Sequence, residues 1–162
     1  MPGVAELRAR GDAAALVALL AGPHAAAAAG ALSELARDDS AHADAIREAG
    51  GVPKLVALLD VPEARWDAAG ALWDLACDNS ANKDVIRSAG GVPKLVALLD
   101  VPEARGNAEG ALWRLARDNR ANKDAIREAG GVPVLVALLN VPGTRGNAAE
   151  VLAELARCYP AN

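Results

Sequence analysis

The chain has 162 residues, of which 52% are hydrophobic and 2% aromatic, with a formal net charge of −4 and a pI near 5.2. An acidic chain is a poor candidate for nucleic-acid binding, because neutralisation of phosphates supplies most of that affinity. No apolar run approaches the roughly 20 residues of a membrane-spanning helix, and residues 1–12 lack the apolar segment of a secretory signal. We therefore expect a protein of the cytosol or nucleus that binds neither nucleic acid nor membrane.

The first repeat of the chain is irregular. Residues 4–10 are predicted to form a shortened first helix, residues 13–20 a second helix and residues 24–37 an alanine-rich third helix. Leu16 lies 39 residues before Leu55, whereas the later units are spaced by 40, so one loop is a residue short.

The two central units define the period. Residues 51–90 and 91–130 differ at only eight of forty positions. Self-similarity at a fixed period indicates one supersecondary unit stacked on copies of itself, because such a unit cannot bury its apolar face alone.

The first helix of a central unit is predicted to follow Asn82. Asn82 is in a position to cap it, and Asp84 would lie in the first turn, where the helix dipole favours a negative charge. The glycine pair Gly90–Gly91 is expected to end this helix, since glycine accepts the left-handed conformation that closes one.

The second and third helices of the unit are separated by proline. Pro93 occupies the start of a second helix, where a missing N–H costs no hydrogen bond. Val101–Pro102 is expected to stop that helix, because the residue before a proline avoids the helical region. A longer third helix is predicted over residues 103–117, and the last third helix of the chain over residues 147–158.

The segments GGVPKLVALL, GALWDLA and ANKDVIR together resemble the armadillo repeat. The resemblance implies a right-handed superhelix in which the third helices form a ladder along a concave groove that binds extended peptides or partner proteins. We predict an all-α, right-handed α-solenoid of about four armadillo repeats, with three helices per repeat and a shortened first helix in the first repeat. A single domain, 1–162, would divide near residues 1–38, 39–78, 79–118 and 119–162.

Catalytic and metal-binding patterns are missing from the sequence. His24 has no Cys or His at ligand spacing, and His42 occupies the place of Asn82 and Asn122, which favours a role at the start of a helix. No nucleophile-elbow, zinc-protease, CxxC or P-loop motif occurs. We therefore predict a non-enzymatic protein without cofactor or metal.

The two cysteines, Cys77 and Cys158, lie two repeats apart. This separation exceeds the reach of a disulfide within the chain. An intermolecular disulfide through Cys158 remains an open alternative.

Five of the eight differences between the central units fall on the third helix. On a wheel of about 100° per residue they concentrate on the face turned away from the leucines, except for the Ala69/Glu109 difference, which lies near the core edge. We predict that this face binds the partner. Its candidate residues are Trp66, Asp67, Gly70, Trp73, Asp74, Cys77, Asn107, Gly110, Trp113, Arg114, Arg117, Glu150 and Glu154.

The resemblance also marks a departure from peptide-binding members of the family. Their third helices commonly carry an asparagine that bonds the peptide backbone, and the matching positions here hold Glu34, Asp74, Arg114 and Glu154. The tryptophan that proteins such as importin-α place one turn earlier is matched by glycine or, in the last repeat, glutamate. The face would instead be acidic at its start, basic at Arg114 and Arg117, and acidic again at its end.

The tryptophans allow two interpretations. Trp73 and Trp113 are equivalent and could pack between adjacent third helices or anchor a partner, since tryptophan is enriched at binding hot spots. Trp66 has no counterpart in the other repeats, which favours a contact role. The main functional hypothesis is therefore a scaffold that binds a protein or extended peptide.

Two alternatives remain open at this stage. One is a structural component that self-associates end to end through its terminal helices, with Val151 and Leu155 exposed. The other is a consensus-like or engineered repeat array with no native ligand, as the near-identity of the central units allows.

Overall fold

The computed structural model describes residues 2–157, and this range contains twelve helices and no strand. They form four groups of three, as the sequence predicts. The helices are α1 (Val4–Ala9), α2 (Ala13–Leu19), α3 (Ala25–Asp38), α4 (Ser40–Glu48), α5 (Gly51–Leu58), α6 (Arg65–Leu75), α7 (Ser80–Ser88), α8 (Gly91–Leu98), α9 (Pro102–Ala116), α10 (Arg120–Glu128), α11 (Gly131–Leu138) and α12 (Arg145–Ala156).

The third helices α3, α6, α9 and α12 pack against one another in chain order. Leu32, Leu72 and Leu112, which occupy equivalent positions on three of them, are fully buried. The same helices carry many alanines, whose small side chains let neighbouring helices approach closely. The predicted all-α solenoid is therefore confirmed, and its interior is a continuous layer of leucine and alanine with valine and isoleucine.

The first helix of the central unit, α7, begins three residues earlier than predicted, whereas α1 begins at Val4 as predicted. Asn79, not Asn82, is the cap of α7, and its side chain accepts a hydrogen bond from the backbone N–H of Asn82 at 3.0 Å. Asn82 lies inside the helix, fully buried, and donates to the carbonyl of Leu75 at 2.9 Å. Asp84 consequently lies beyond the first turn of α7. An asparagine at both places made the two positions hard to distinguish by pattern alone.

These buried asparagines also join neighbouring repeats. Arg47 donates to Asn82 at 3.0 Å, and Arg87 donates to Asn122 at 3.1 Å, one repeat further on. Because a buried polar group is costly unless it is hydrogen-bonded, this recurring pair fixes the register of one repeat on the next.

The glycine pair between the first and second helices serves two purposes. Gly90 has a φ of 79°, the left-handed conformation predicted for the end of α7. Gly91 opens α8, so that Pro93 is the third residue of that helix and not the first. A Cβ on Gly91 would lie 2.7 Å from Cγ2 of Ile86, and glycine is therefore required for the two helices to meet.

The ends of the solenoid differ from the prediction. Val151 and Leu155 on α12 are buried, so the expected apolar exposure on the final helix is wrong. The exposed apolar side chain lies on α11, where Val136 is 48% exposed. Cys158, the residue suggested for an intermolecular disulfide, lies outside the described residues.

No helix within residues 2–157 combines the length and the apolar character needed to cross a membrane. In the same range, no group of three or more His, Cys, Asp and Glu side chains is arranged to hold a metal ion.

Candidate binding groove

The predicted partner-binding residues gather at two depressions on the row of third helices. The first depression, named here the acidic pocket, has a volume of about 300 Å3 and lies between α3, α6 and α9. Six of the thirteen predicted residues line it. Its lining is Gly30, Ser33, Glu34, Arg37, Trp66, Asp67, Gly70, Trp73, Asp74 and Asn107.

Asp67 is the unpaired charge of the acidic pocket. Its Oδ1 lies 3.1 Å from the position that a Cβ on Gly30 would take, so the carboxylate rests above a glycine of the preceding repeat. Burial raises the pKa of the Asp67 carboxyl above its ordinary value. Within residues 2–157 Asp67 makes no ion pair. A cation that entered this pocket would therefore meet a partly desolvated, uncompensated carboxylate.

Asp74, in contrast, is held by the preceding repeat. Its carboxylate accepts hydrogen bonds from the hydroxyl of Ser33 and, at 3.0 Å, from the guanidinium of Arg37. These bonds tie α3 to α6. Asp74 consequently contributes to the shape of the pocket more than to its free charge. Neither Ser33 nor Arg37 was among the predicted site residues, because the differences that identified candidates were those between residues 51–90 and 91–130, and both residues lie in the first repeat.

Trp66 stands at the edge of the acidic pocket with 56% of its surface exposed. Its backbone carbonyl accepts a hydrogen bond from the side-chain amide of Asn107 at 2.9 Å. The Asn107 amide lies above Gly70, 3.1 Å from the position of an added Cβ. The start of α6, which carries the exposed indole, is thus attached to α9.

The second depression, named here the basic pocket, has a volume of about 540 Å3 and lies between α9 and α12. Four predicted residues line it. The complete lining is Trp113, Arg117, Glu150, Ala153, Glu154 and Arg157. The guanidinium carbons of Arg114 and Arg117 each lie 5.6 Å from the centroid of the Trp113 ring. This distance is within the range of a cation–π interaction.

Glu154 does not offer a free charge to the basic pocket. Its side chain is 5% exposed and pairs with the buried ammonium of Lys123 at 2.9 Å, and with Arg157 at 3.3 Å. Glu150 lies at the exposed side of the pocket. The predicted acidic end of the face is therefore reduced to Glu150. With Lys123 included, the cations Lys123, Arg117 and Arg157 outnumber the two glutamates of the depression by one.

The remaining three predicted residues lie between the two pockets. Arg114 donates a hydrogen bond to the sulfur of Cys77, which is exposed. Gly110 lies beneath the ring of Trp73, 2.7 Å from the position of an added Cβ. Trp73 packs against the core. This agrees with the interpretation that it packs between adjacent third helices.

The comparisons with known proteins agree with this architecture. Residues 119–157 match the family model described as the Armadillo/beta-catenin-like repeat. An engineered protein solved by the Northeast Structural Genomics Consortium is 36% identical, with a TM-score of 0.86, and the match covers 90% of this chain and 62% of that one. No curated protein matches the chain significantly.

Two further structures extend the comparison. A designed armadillo repeat protein in complex with the peptide (KR)4 is 28% identical, with a TM-score of 0.83 and coverage of 94% of this chain and 67% of that one. The armadillo-repeats-only protein of Plasmodium falciparum is 21% identical, with a TM-score of 0.84, and shares the fold. This match covers 95% of this chain and 77% of that one. The chain spans 62%, 40% and 63% of the length of three engineered structures that it matches.

The fold and the row of third helices define an α-solenoid scaffold. The fold is that of armadillo-repeat solenoids, and residues 119–157 match the model of the armadillo-repeat family.

Proposed function

We propose that the chain is a non-enzymatic scaffold that binds an extended peptide along the face formed by α3, α6, α9 and α12. The observation that carries this proposal is the separation of charge along one face. Uncompensated Asp67 lies in the acidic pocket, and Arg114 and Arg117 surround Trp113 beside the basic pocket. The peptide would carry a basic residue at one end and an acidic residue at the other.

The acidic pocket suits a lysine or arginine side chain. The cation would pair with Asp67, whose ionised form gains from a nearby positive charge, and would stack on the exposed ring of Trp66. A peptide arginine or lysine there would replace the contact between Asp67 and water by an ion pair in a partly desolvated site.

The basic pocket suits a carboxylate. Among the described residues, Arg117 makes only long ion pairs, at 4.0 Å to Asp78 and 3.9 Å to Asp118, and its side chain is partly exposed. A peptide Glu or Asp could accept two parallel hydrogen bonds from this guanidinium, the strongest geometry for such a pair. The designed relative in complex with (KR)4 supports peptide binding as the class of function. The basic half of the present face indicates a ligand of mixed charge.

The test is a comparison of two peptides of identical composition and reversed order. One carries Lys-Arg near its N-terminus and Glu-Asp near its C-terminus, and the other carries them in the opposite order. We expect fluorescence anisotropy to show that the chain binds one order at least tenfold more tightly, a difference of about 1.4 kcal/mol. Equal affinity for the two orders would contradict the proposal.

Matched variants locate the site. Asp67→Asn and Arg117→Gln are each expected to weaken the preferred peptide about tenfold, because each removes one charge-assisted contact. Asp100→Asn and Arg120→Gln alter exposed charges outside both pockets and serve as controls. If Asp67→Asn and Asp100→Asn gave the same affinity, binding would have to be assigned to another surface.

A second candidate is an idealised repeat array without a natural ligand. Residues 51–90 and 91–130 differ at only eight positions, and this near-identity favours an idealised array. The likeness to engineered structures favours it too. The same peptide experiment separates the two, since an array of this kind would bind neither order above the level of the double variant Asp67→Asn, Arg117→Gln.

A further inference from the structure

The four third helices carry a charged residue at one equivalent position, and three of these charges are paired. The three pairs are Glu34–Arg8, Asp74–Arg37 and Glu154–Lys123. The fourth equivalent is Arg114, which makes no ion pair among the described residues and donates to the sulfur of Cys77. The buried Nε of Arg114 has no hydrogen-bond acceptor within residues 2–157. A buried donor of this kind is costly until an acceptor reaches it.

The buried lysine beside Arg114 also lacks the carboxylate that its counterpart has. Lys83 and Lys123 occupy equivalent positions on α7 and α10, and each ammonium group donates to the backbone carbonyl at the end of the following third helix. Lys123 pairs in addition with Glu154, whereas the residue in the place of Glu154 beside Lys83 is Arg114. Lys83 is 6% exposed and makes no ion pair in the described part of the chain.

Three cations therefore act on one another at the junction of α7 and α9, and Lys83, Arg114 and Arg117 are named here the cation cluster. Burial lowers the pKa of Lys83 below its ordinary value, and the charges of Arg117 and Arg114 lower it further. Asp118 and Asp78 oppose this shift, but both side chains are exposed and lie 3.9 and 4.0 Å from the Arg117 guanidinium. Water screens exposed carboxylates at this distance, so they compensate the cluster only in part.

The donors of the cation cluster suit a phosphate group better than a carboxylate. A phosphate monoester carries about −1.5 to −2 charges at pH 7 and three strong acceptor oxygens, whereas a carboxylate carries one charge and two oxygens. Both guanidinium carbons, those of Arg114 and Arg117, lie 5.6 Å from the centroid of the Trp113 ring, which holds the two donors close together. Because the net charge of −4 disfavours a polynucleotide, the phosphate is best supplied by a peptide.

We propose that the cation cluster binds a phosphorylated side chain of the peptide ligand, and that the phosphate supplies to Lys83 the negative charge that Glu154 supplies to Lys123. This inference rests on the proposed peptide-binding function and specifies its acidic residue as a phosphoserine. The phosphate oxygens accept hydrogen bonds from Arg114 and Arg117, the geometry in which arginine clusters recognise phosphorylated segments.

The test uses peptides in both charge orders, each with Ser, Glu or phosphoserine at one position of the acidic end. We expect fluorescence anisotropy to show that phosphoserine, in the preferred order, binds the wild type about tenfold more tightly than Glu. A preference for one charge order with no gain from phosphoserine would overturn only the phosphate site. A gain from phosphoserine of equal size in both orders would contradict only the directional binding of the proposed function.

Arg114→Glu locates the site. The variant copies at Lys83 the arrangement of Lys123 with Glu154, so the fold accepts it, and we expect phosphoserine to bind it no more tightly than Ser. Arg120→Glu is the matched control, because it makes the same change of charge at an exposed arginine outside the cation cluster. An equal loss in the two variants, or a gain from phosphoserine that survives in Arg114→Glu, would overturn the assignment.

Inorganic phosphate separates a free anion from a phosphorylated peptide. Thermal unfolding is measured in phosphate and in chloride at equal ionic strength. We expect phosphate to raise the midpoint of the wild type and to leave that of Arg114→Glu unchanged, since a ligand stabilises only the folded protein that binds it. A rise in the wild type without any gain from phosphoserine would mean that the cation cluster takes a free anion only, which contradicts the proposal.

Discussion

The indole ring of Trp73 on α6 packs against the backbone of Gly110 on α9. A Cβ on Gly110 would lie 2.7 Å from both Cδ2 and Cε2 of the ring, closer than real carbon atoms approach. The glycine therefore sets the distance between two neighbouring third helices. The same two helices form the floor between the acidic and basic pockets, so this contact positions both.

Gly110→Ala is expected to destabilise the protein. The rigid indole has to move, and overpacking of this kind costs about 1–3 kcal/mol. Urea unfolding followed by circular dichroism gives the free energy of unfolding. Gly70→Ala is the matched control, because its added Cβ meets the end of the Asn107 side chain, which can rotate away. If Gly110→Ala were no less stable than Gly70→Ala, the packing of Trp73 would not depend on the glycine.

Gly106→Ala is expected to stabilise the protein. Gly106 lies inside α9, and nothing lies within 4 Å of its added Cβ. Replacing an exposed helical glycine by alanine gains about 0.5–1 kcal/mol, because the unfolded chain loses conformational freedom. The midpoint of thermal unfolding should rise. A midpoint equal to or below that of the wild type would indicate that the helix is not continuous through this position.

Glu109→Gln tests a buried carboxyl. Glu109 is 1% exposed, its Oε1 accepts no hydrogen bond, and burial raises its pKa above the ordinary 4.5 while Asn147 and Arg105 oppose the shift. Since the unfolded chain releases this proton at lower pH than the folded protein, the carboxyl lowers stability as pH rises through and above 4.5. Urea unfolding of the wild type should show this decline.

The Gln variant should lack that decline, so the difference in unfolding free energy between the two proteins should grow from pH 4 towards neutrality, about where an ordinary Glu ionises. Other carboxyls also have shifted pKa values. The pKa of Asp67 is raised, and hydrogen bonds to Asn79 and Arg87 lower the pKa values of Asp44 and Asp84 respectively. Only the difference in unfolding free energy between the wild type and Glu109→Gln therefore isolates Glu109. A difference that is constant with pH would mean that the carboxyl is already solvated.

Glu154→Gln is expected to destabilise the last repeat. Glu154 and Lys123 are both buried and 2.9 Å apart, and removal of one partner leaves a buried charge, at a cost of about 3–5 kcal/mol. The double variant Lys123→Met, Glu154→Leu should cost less than the single variant, because neither charge remains. Unfolding in guanidinium chloride gives the free energies of unfolding of the wild type, the single variant and the double variant. A double variant less stable than Glu154→Gln would contradict this account of the pair.

Part of the lining of the two pockets could be predicted from the sequence because the repeats act as their own alignment. Among the residues that differ between two near-identical units, five line the two pockets, namely Trp66, Asp67, Asp74, Asn107 and Arg117. Glu109, which stands in place of Ala69, is instead buried in the core, and a helical wheel could not show that a charged residue would be buried there. The repeat period also could not show whether Asn79 or Asn82 caps α7, since both asparagines recur forty residues later as Asn119 and Asn122.

The sequence by itself determined the period, the helical class, the glycine and proline boundaries and the face on which the repeats vary. These are local properties, set by hydrophobic spacing and backbone preference, and they survive in any arrangement of the helices. Only the tertiary structure decided which charges are free. Asp74 pairs with Ser33, which is 41 residues away in the chain, and Glu154 pairs with Lys123 of another helix, whereas Asp67 lies above a glycine. Partners this distant in the chain meet only when the repeats stack.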